Sequence, residues 1–319
     1  MSGGAKVTIV GSGSIGTTIA YSLMLERPET EIVIVNRNRD KSWAKAFDMT
    51  HCLPELPGRS IRAAGLEGSA GSDVIVLTAG SLPREDGTRA DVLRDNVRIY
   101  SGLVPGLARL SPIAVILVVT NPVDAMAYAT HRLSGFPAQR VLGTGTELDA
   151  MRLRAFAADS IGLDPGALSI EVVGEHGDSM VPLWSRASYK GRPLVEAPGL
   201  GRAEKEELLR RTRRAGWDIR QAGEHSSYGI AFSCLRILRG LLDPDGRPIS
   251  VSTAFRGEYG IEGTYMSLRT RLGRSGAEGR LAPPLPDEEG DALRASAVAV
   301  RAQMDEVDRL LAGMAEEPV

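Results

Sequence analysis

Short apolar runs alternate with longer stretches of helical periodicity through the first half of the chain. Val7-Thr8-Ile9-Val10, Glu31-Ile32-Val33-Ile34-Val35, Asp73-Val74-Ile75-Val76-Leu77 and Ile113-Ala114-Val115-Ile116-Leu117-Val118-Val119 read as strands. They lack the in–out alternation of a half-exposed sheet, so both faces are expected to be covered by helices, as in a parallel sheet. Helices are predicted from Ile15 to Leu25 and from about Lys41 to Thr50. This order predicts an α/β fold with a doubly wound parallel sheet over residues 1–145.

Beyond that point the rhythm changes. A helix from Glu147 to Ser160 leads into short alternating segments around Leu168 to Val173 and Val181 to Ser188. Charged helical sequence runs from Ala203 to Gln221, and another helix ends at Leu242. Ile249 to Phe255 and Thr264 to Leu272 read as antiparallel strands, and a last helix starts near Asp287. Residues 146–319 are therefore expected to form an α+β domain carrying the substrate determinants.

Composition narrows the chemistry mainly by exclusion. A formal charge of −2 gives no general attraction to nucleic acid or to an anionic membrane. The two cysteines, Cys52 and Cys234, are far apart and the four histidines are scattered, so neither a metal site nor a disulfide scaffold is expected. Met1 to Lys6 lacks the pattern of a signal peptide, and the run from Ile113 to Val119 is about a third of what a membrane helix needs. A cytoplasmic protein without a membrane partner is the expectation.

Gly11-Ser12-Gly13-Ser14-Ile15-Gly16 joins the first strand directly to the first helix. The first glycine permits a tight turn, the second lets backbone approach a pyrophosphate, and the third allows helix to pack on strand. The helix N-terminus adds free N–H donors and positive dipole. Strand before and helix after make this a dinucleotide site of the Rossmann type, with Ser14 and Ile15 beside the phosphates. About 20 residues on, where an acid would bind the ribose of NAD, stands Asn36, followed by Arg37 and Arg39. Loss of the carboxylate removes repulsion against a 2′-phosphate, and a guanidinium offers it a partner. NADP is favoured on that ground, with NAD as the alternative.

Further motifs lie in register along the chain: Thr78-Ala79-Gly80, Asn121-Pro122-Val123-Asp124, Gly143-Thr144-Gly145-Thr146-Glu147-Leu148-Asp149-Ala150-Met151-Arg152, Gly174-Glu175-His176-Gly177-Asp178-Ser179 and Gly257-Glu258-Tyr259-Gly260-Ile261. In order and interval these resemble the lactate/malate dehydrogenase family over nearly the whole chain. The resemblance implies hydride transfer between a nicotinamide cofactor and a small 2-keto or (S)-2-hydroxy acid. It makes His176 the acid/base residue, since imidazole titrates near working pH. Asp149 becomes its orienting carboxylate and Arg152 the two-point grip on the substrate carboxylate. Arg89, in a mobile loop, becomes the cation that polarises the carbonyl. Asn121 holds substrate and nicotinamide in register, Ser226 faces the substrate, and Asn96 joins Thr78, Ala79 and Gly80 in the cofactor set. His51, His131 and His225 are assigned no chemistry.

One position departs from the family. Where relatives choose their substrate with glutamine or arginine, six residues before the loop arginine, this chain has Pro83, which has no side-chain donor. Arg84 would restore a malate-like preference if the loop shifts by one residue. Otherwise a bulkier or less polar 2-keto acid is expected. Glu147 is a second oddity, a charge where relatives mostly have none. A homodimer or homotetramer follows from the resemblance alone. A glycosidase of the NAD-using type and a non-enzymatic cofactor-binding protein are the rivals, and the intact Asp149, Arg152 and His176 set argues against both.

Overall fold

The computed structural model describes residues 4–81, 88–194 and 200–316. Pro83 and Arg84, the residues expected to choose the substrate, lie outside these residues. The first half runs β1 (Lys6–Val10), α1 (Ser14–Glu26), β2 (Glu31–Val35), α2 (Arg39–Thr50), β3 (Ser60–Ala64), β4 (Val74–Leu77), α3 (Arg89–Leu110), β5 (Val115–Val118), α4 (Val123–Ser134) and β6 (Val141–Gly143). The second half runs α5 (Glu147–Ile161), β7 (Leu168–Ser169), β8 (Val172–Val173), β9 (Val181–Pro182), β10 (Ser188–Tyr189) and β11 (Arg192–Pro193). It continues with α6 (Arg202–Gln221), α7 (Tyr228–Leu242), β12 (Ile249–Arg256), β13 (Glu262–Gly273), β14 (Gly276–Arg280) and α8 (Asp287–Glu316).

Strands β3-β2-β1-β4-β5-β6 form the expected parallel sheet, with neighbours in register such as Val7 with Ile32 and Val74 with Val115. The chain reverses direction across the sheet at β1 and β4, and ligands of such folds bind in the crevice outside the strand ends there. Core side chains of β1, β4 and β5 alternate between two helical layers. Val10, Ile75, Leu77 and Ile116 pack with α3, α4 and α8; Val7, Ile9, Val76 and Leu117 pack with α1 and α7. Side chains such as Leu23, Leu107 and Leu238 are sealed from water, each burial stabilising the fold by about 1.5–3 kcal/mol.

Three features extend or correct the sequence reading. The antiparallel hairpin β12–β13–β14 does not make a sheet of its own. It continues the parallel sheet into nine strands, through pairing of Ser252 with Gly143. The fourth predicted strand begins later than expected, because Ile113 is largely exposed and the ladder starts at Val115. The segments read as strands around residues 168–188 form only two-residue pairings, broken by a turn of 3₁₀ helix at Trp184–Arg186.

Candidate active site

The glycine loop has the shape its spacing predicts. Gly11 adopts φ +118°, a region that side chains rarely tolerate, and a Cβ there would meet Thr78 Oγ1 at 2.5 Å. A Cβ on Gly16 would lie 2.0 Å from the Gly11 carbonyl oxygen, so only glycine lets α1 start this close to β1. Gly13 is the opposite case: a Cβ there would meet nothing within 4 Å. That open side faces a cavity of about 620 Å³ lined by Gly13, Ser14, Ile15 and Gly16, with Thr78 and Gly80 beside them. No side chain caps α1, so its first N–H groups remain available to an anion.

The loops flanking this crevice are braced from beneath. Asn96, fully buried on α3, accepts from the Ser81 backbone N–H at 2.6 Å and donates to the Asn121 carbonyl at 2.8 Å. Its amide therefore ties the loop after β4 to the loop after β5 and does not line the cavity. Thr120 holds the same two loops through a bond to the Ala79 carbonyl. The Asn121–Pro122 bond is cis, and Asn121 lines the cavity.

Asn36 and Arg37 follow the C-terminal end of β2, beside the glycine loop, and neither is part of the cavity lining. The Asn36 amide donates to the Ser12 hydroxyl and accepts from the Asn38 N–H. Asn38 in turn caps α2 by accepting from Lys41. Arg37 is exposed, while Arg39 reaches Glu67 at 3.9 Å.

His176, Asp149 and Arg152 converge at the other end of the cavity. His176 Nδ1 lies 2.5 Å from Asp149 Oδ2, and Asp149 is only 1% exposed. Arg152 sits one turn further along α5, with Nη1 3.6 Å from Asp149 Oδ1. Arg152 Nη2 donates to the Ser226 hydroxyl at 3.0 Å. Burial disfavours the imidazolium, but the Asp149 charge and hydrogen bond outweigh it, so the His176 pKa is raised. His176 and Arg152 both line the cavity that holds the glycine loop.

Two residues that the sequence leaves without a role organise this cluster. Asp124, buried at the start of α4, accepts from the His176 backbone N–H at 2.7 Å. Burial pushes its carboxyl up to about 6 against the opposing pull of Ser252 and His176. Ser267 on β13 donates its backbone N–H to Gly174 and accepts from the Gly174 N–H in return. Its hydroxyl also accepts from the Thr146 N–H at 2.9 Å. One strand residue thus pins both the Asp149 segment and the His176 segment. Asp124 stands inside a recognised motif, so its position was visible; nothing local marks Ser267.

Arg89 departs from expectation. Thr88 and Asp91 form a reciprocal capping box, which makes Arg89 the first residue of α3 and not part of a loop. Its guanidinium is 87% exposed, lies outside the cavity lining and pairs with Asp178 at 2.9 Å. Glu147 is buried at the N-terminus of α5 and pairs with Arg236 of α7 at 2.6 Å. The three other histidines differ among themselves. His131 Nδ1 meets the Phe136 carbonyl, His51 sits edge-on to Phe47, and His225 joins Arg220 and Glu224 on the cavity wall. Among the described residues no group of acidic, histidine or cysteine side chains could hold a metal ion, and no helix is long and apolar enough to cross a membrane.

Comparison with known proteins agrees with this geometry. Residues 5–143 match the NAD binding domain of lactate/malate dehydrogenase, and residues 146–310 match its alpha/beta C-terminal domain. An L-lactate dehydrogenase of Clostridium perfringens is 34% identical over 297 residues, 92% of this chain and 94% of the relative. One from Synechococcus is 35% identical over 303 residues, 95% and 99% of the two chains. The ligand-bound crystal structure of a minor L-lactate dehydrogenase from Enterococcus mundtii superposes with a TM-score of 0.91 at 29% identity, covering 95% of this chain and 98% of that one. A lactate dehydrogenase from a Medee basin deep-sea metagenome gives the same TM-score at 28% identity, covering 96% and 99%. With the glycine loop, His176 and Arg152 lining one cavity and Asp149 buried against His176, the chain belongs to the lactate/malate dehydrogenase family.

Proposed function

We propose that the protein interconverts a 2-oxo acid and its (S)-2-hydroxy acid, with His176 moving the proton at the substrate oxygen. The observation that carries this reading is the His176 Nδ1–Asp149 contact of 2.5 Å in the same cavity as the glycine loop. Asp149 keeps the ring protonated and oriented, which suits His176 to act as acid during reduction and as base during oxidation. Arg152, with Ser226 steadying one arm of its guanidinium, offers the substrate carboxylate a planar two-point contact. Asn121 holds the reacting carbon near the cofactor end of the cavity. Arg89 enters this scheme only by exchanging Asp178 for the substrate carbonyl.

The open Gly13 face, the uncapped start of α1 and the close Gly11–Gly16 approach fit a dinucleotide pyrophosphate. When bound, the nicotinamide supplies or accepts the hydride. NADP is favoured by Asn36 in place of an acid, by its amide's engagement with Ser12, and by exposed Arg37. NAD is the second reading, favoured by the family domain's description and by Arg39 leaning toward Glu67. The two free cysteines suit a reducing cytoplasm. Assembly into a homodimer or homotetramer is supported by aromatic side chains left exposed on α2 and α7, among them Trp43, Phe47, Tyr228 and Phe232.

Initial rates with NADPH and NADH against a panel of 2-oxo acids test these assignments together. A tenfold preference for NADH, about 1.4 kcal/mol, defeats the NADP assignment. His176→Ala is expected to remove most turnover while nucleotide binding persists; unchanged turnover overturns the proton-transfer role.

A further inference from the structure

The substrate end of the cavity carries a cation that the scheme above does not use. Gly216 lies on α6 with its Cβ position 3.7 Å from Arg152 Nη2, so this point of the helix abuts the carboxylate-binding guanidinium. Arg220 follows four residues later, just over one helical turn or about 6 Å along the axis, on the same face. It too lines the cavity, and among the described residues it makes no ion pair. The wall between them carries no bulky side chain at Gly216, leaving a path from Arg152 to Arg220.

We infer that Arg220 is a specificity-determining residue that takes a second carboxylate, and that the preferred substrate is a 2-oxo diacid with two or three methylene groups between the keto carbon and the distal carboxylate. This rests on the 2-oxo acid reading above. Arg152 anchors the first carboxylate, and the helical rise of about 6 Å from Gly216 to Arg220 sets a span that favours a longer diacid over a shorter one. Glu224 lines the same wall and repels free anions. A diacid already held by Arg152 overcomes that repulsion, because its second contact is intramolecular.

The test compares kcat/KM for 2-oxoglutarate, 2-oxoadipate, oxaloacetate, pyruvate and 4-methyl-2-oxopentanoate in the wild type, Arg220→Gln, Arg220→Lys and Arg84→Gln proteins. The five- or six-carbon diacid is expected to lead the panel. Arg220→Gln should lower its kcat/KM relative to that for pyruvate at least tenfold, mainly through KM, as loss of a charge-assisted contact requires. Arg220→Lys should restore part of that ratio. Wild-type preference for pyruvate or the branched acid overturns the inference. So does an equal fall for every substrate in Arg220→Gln, or loss of the diacid preference in Arg84→Gln alone. Failure of the wild type to reduce any 2-oxo acid defeats the proposed function itself.

Discussion

Replacing Asp149 with Asn removes one charge from the centre of the site while preserving its volume. Asp149 is 1% exposed and His176 is 22% exposed, so water screens their interaction weakly. With charge centres about 4 Å apart and an effective dielectric of about 20, the carboxylate stabilises the imidazolium by about 4 kcal/mol. At 1.36 kcal/mol per decade this corresponds to about a 10³-fold loss in rate for reduction. The positive charge of Arg152, 3.6 Å from the other carboxylate oxygen, already offsets part of that field, which lowers the expectation to between about 10²- and 10³-fold. The pH profile adds an independent reading. Asp149 raises the His176 pKa, so in the variant the imidazolium needed for reduction is lost at lower pH. The descending limb of kcat/KM for ketone reduction should therefore move toward acid. Steady-state rates from pH 5 to 9 measure both effects. A variant within tenfold of wild type whose profile has not moved would refute the electrostatic role of Asp149.

Further outcomes follow from single features. Gly16→Ala places a Cβ 2.0 Å from a backbone oxygen that cannot swing aside; at about 1–3 kcal/mol for overpacking, the dinucleotide Kd should rise roughly 5- to 150-fold in a fluorescence titration. Asp124 has its carboxyl raised to about 6 by burial, so its stabilising contribution is complete below the usual carboxylate range and is lost as pH rises through 6. Thermal melts of Asp124→Asn should accordingly improve relative to wild type between pH 5 and pH 7.5; a constant Tm difference contradicts the assignment. Trp43 and Phe47 stack with centroids 4.9 Å apart on an exposed face, so the double change to Glu should shift the molar mass found by light scattering to that of a monomer.

The parts of this architecture that local chemistry dictates were legible in the sequence. Strands such as Val74–Leu77, apolar on both faces, demand helices on either side, and the glycine spacing states its own turn. His176 and Arg152, assigned through motif resemblance, line one cavity, and Asp149 is buried against both. Long-range pairings were not legible. The joining of β12 to β6 depends on Ser252 meeting Gly143, and no periodicity encodes that encounter. Arg89 belongs to a helix and not to the expected loop, because Thr88-Arg89-Ala90-Asp91 is a capping box, for which the threonine and aspartate at the required interval are the signal in the sequence. Its partnership with Asp178 belongs to the tertiary fold alone.

Ser267 gives the site a mechanical division of labour. Its three hydrogen bonds fasten the Asp149 and His176 segments to the sheet, whereas Arg220 belongs to α6 and His225 and Ser226 to the turn that leads into α7. Substitutions in that outer helical wall can accumulate and redirect substrate choice without changing the distance across which the proton moves. The chemistry is inherited with the sheet; the diet of the enzyme is free to drift with the helices.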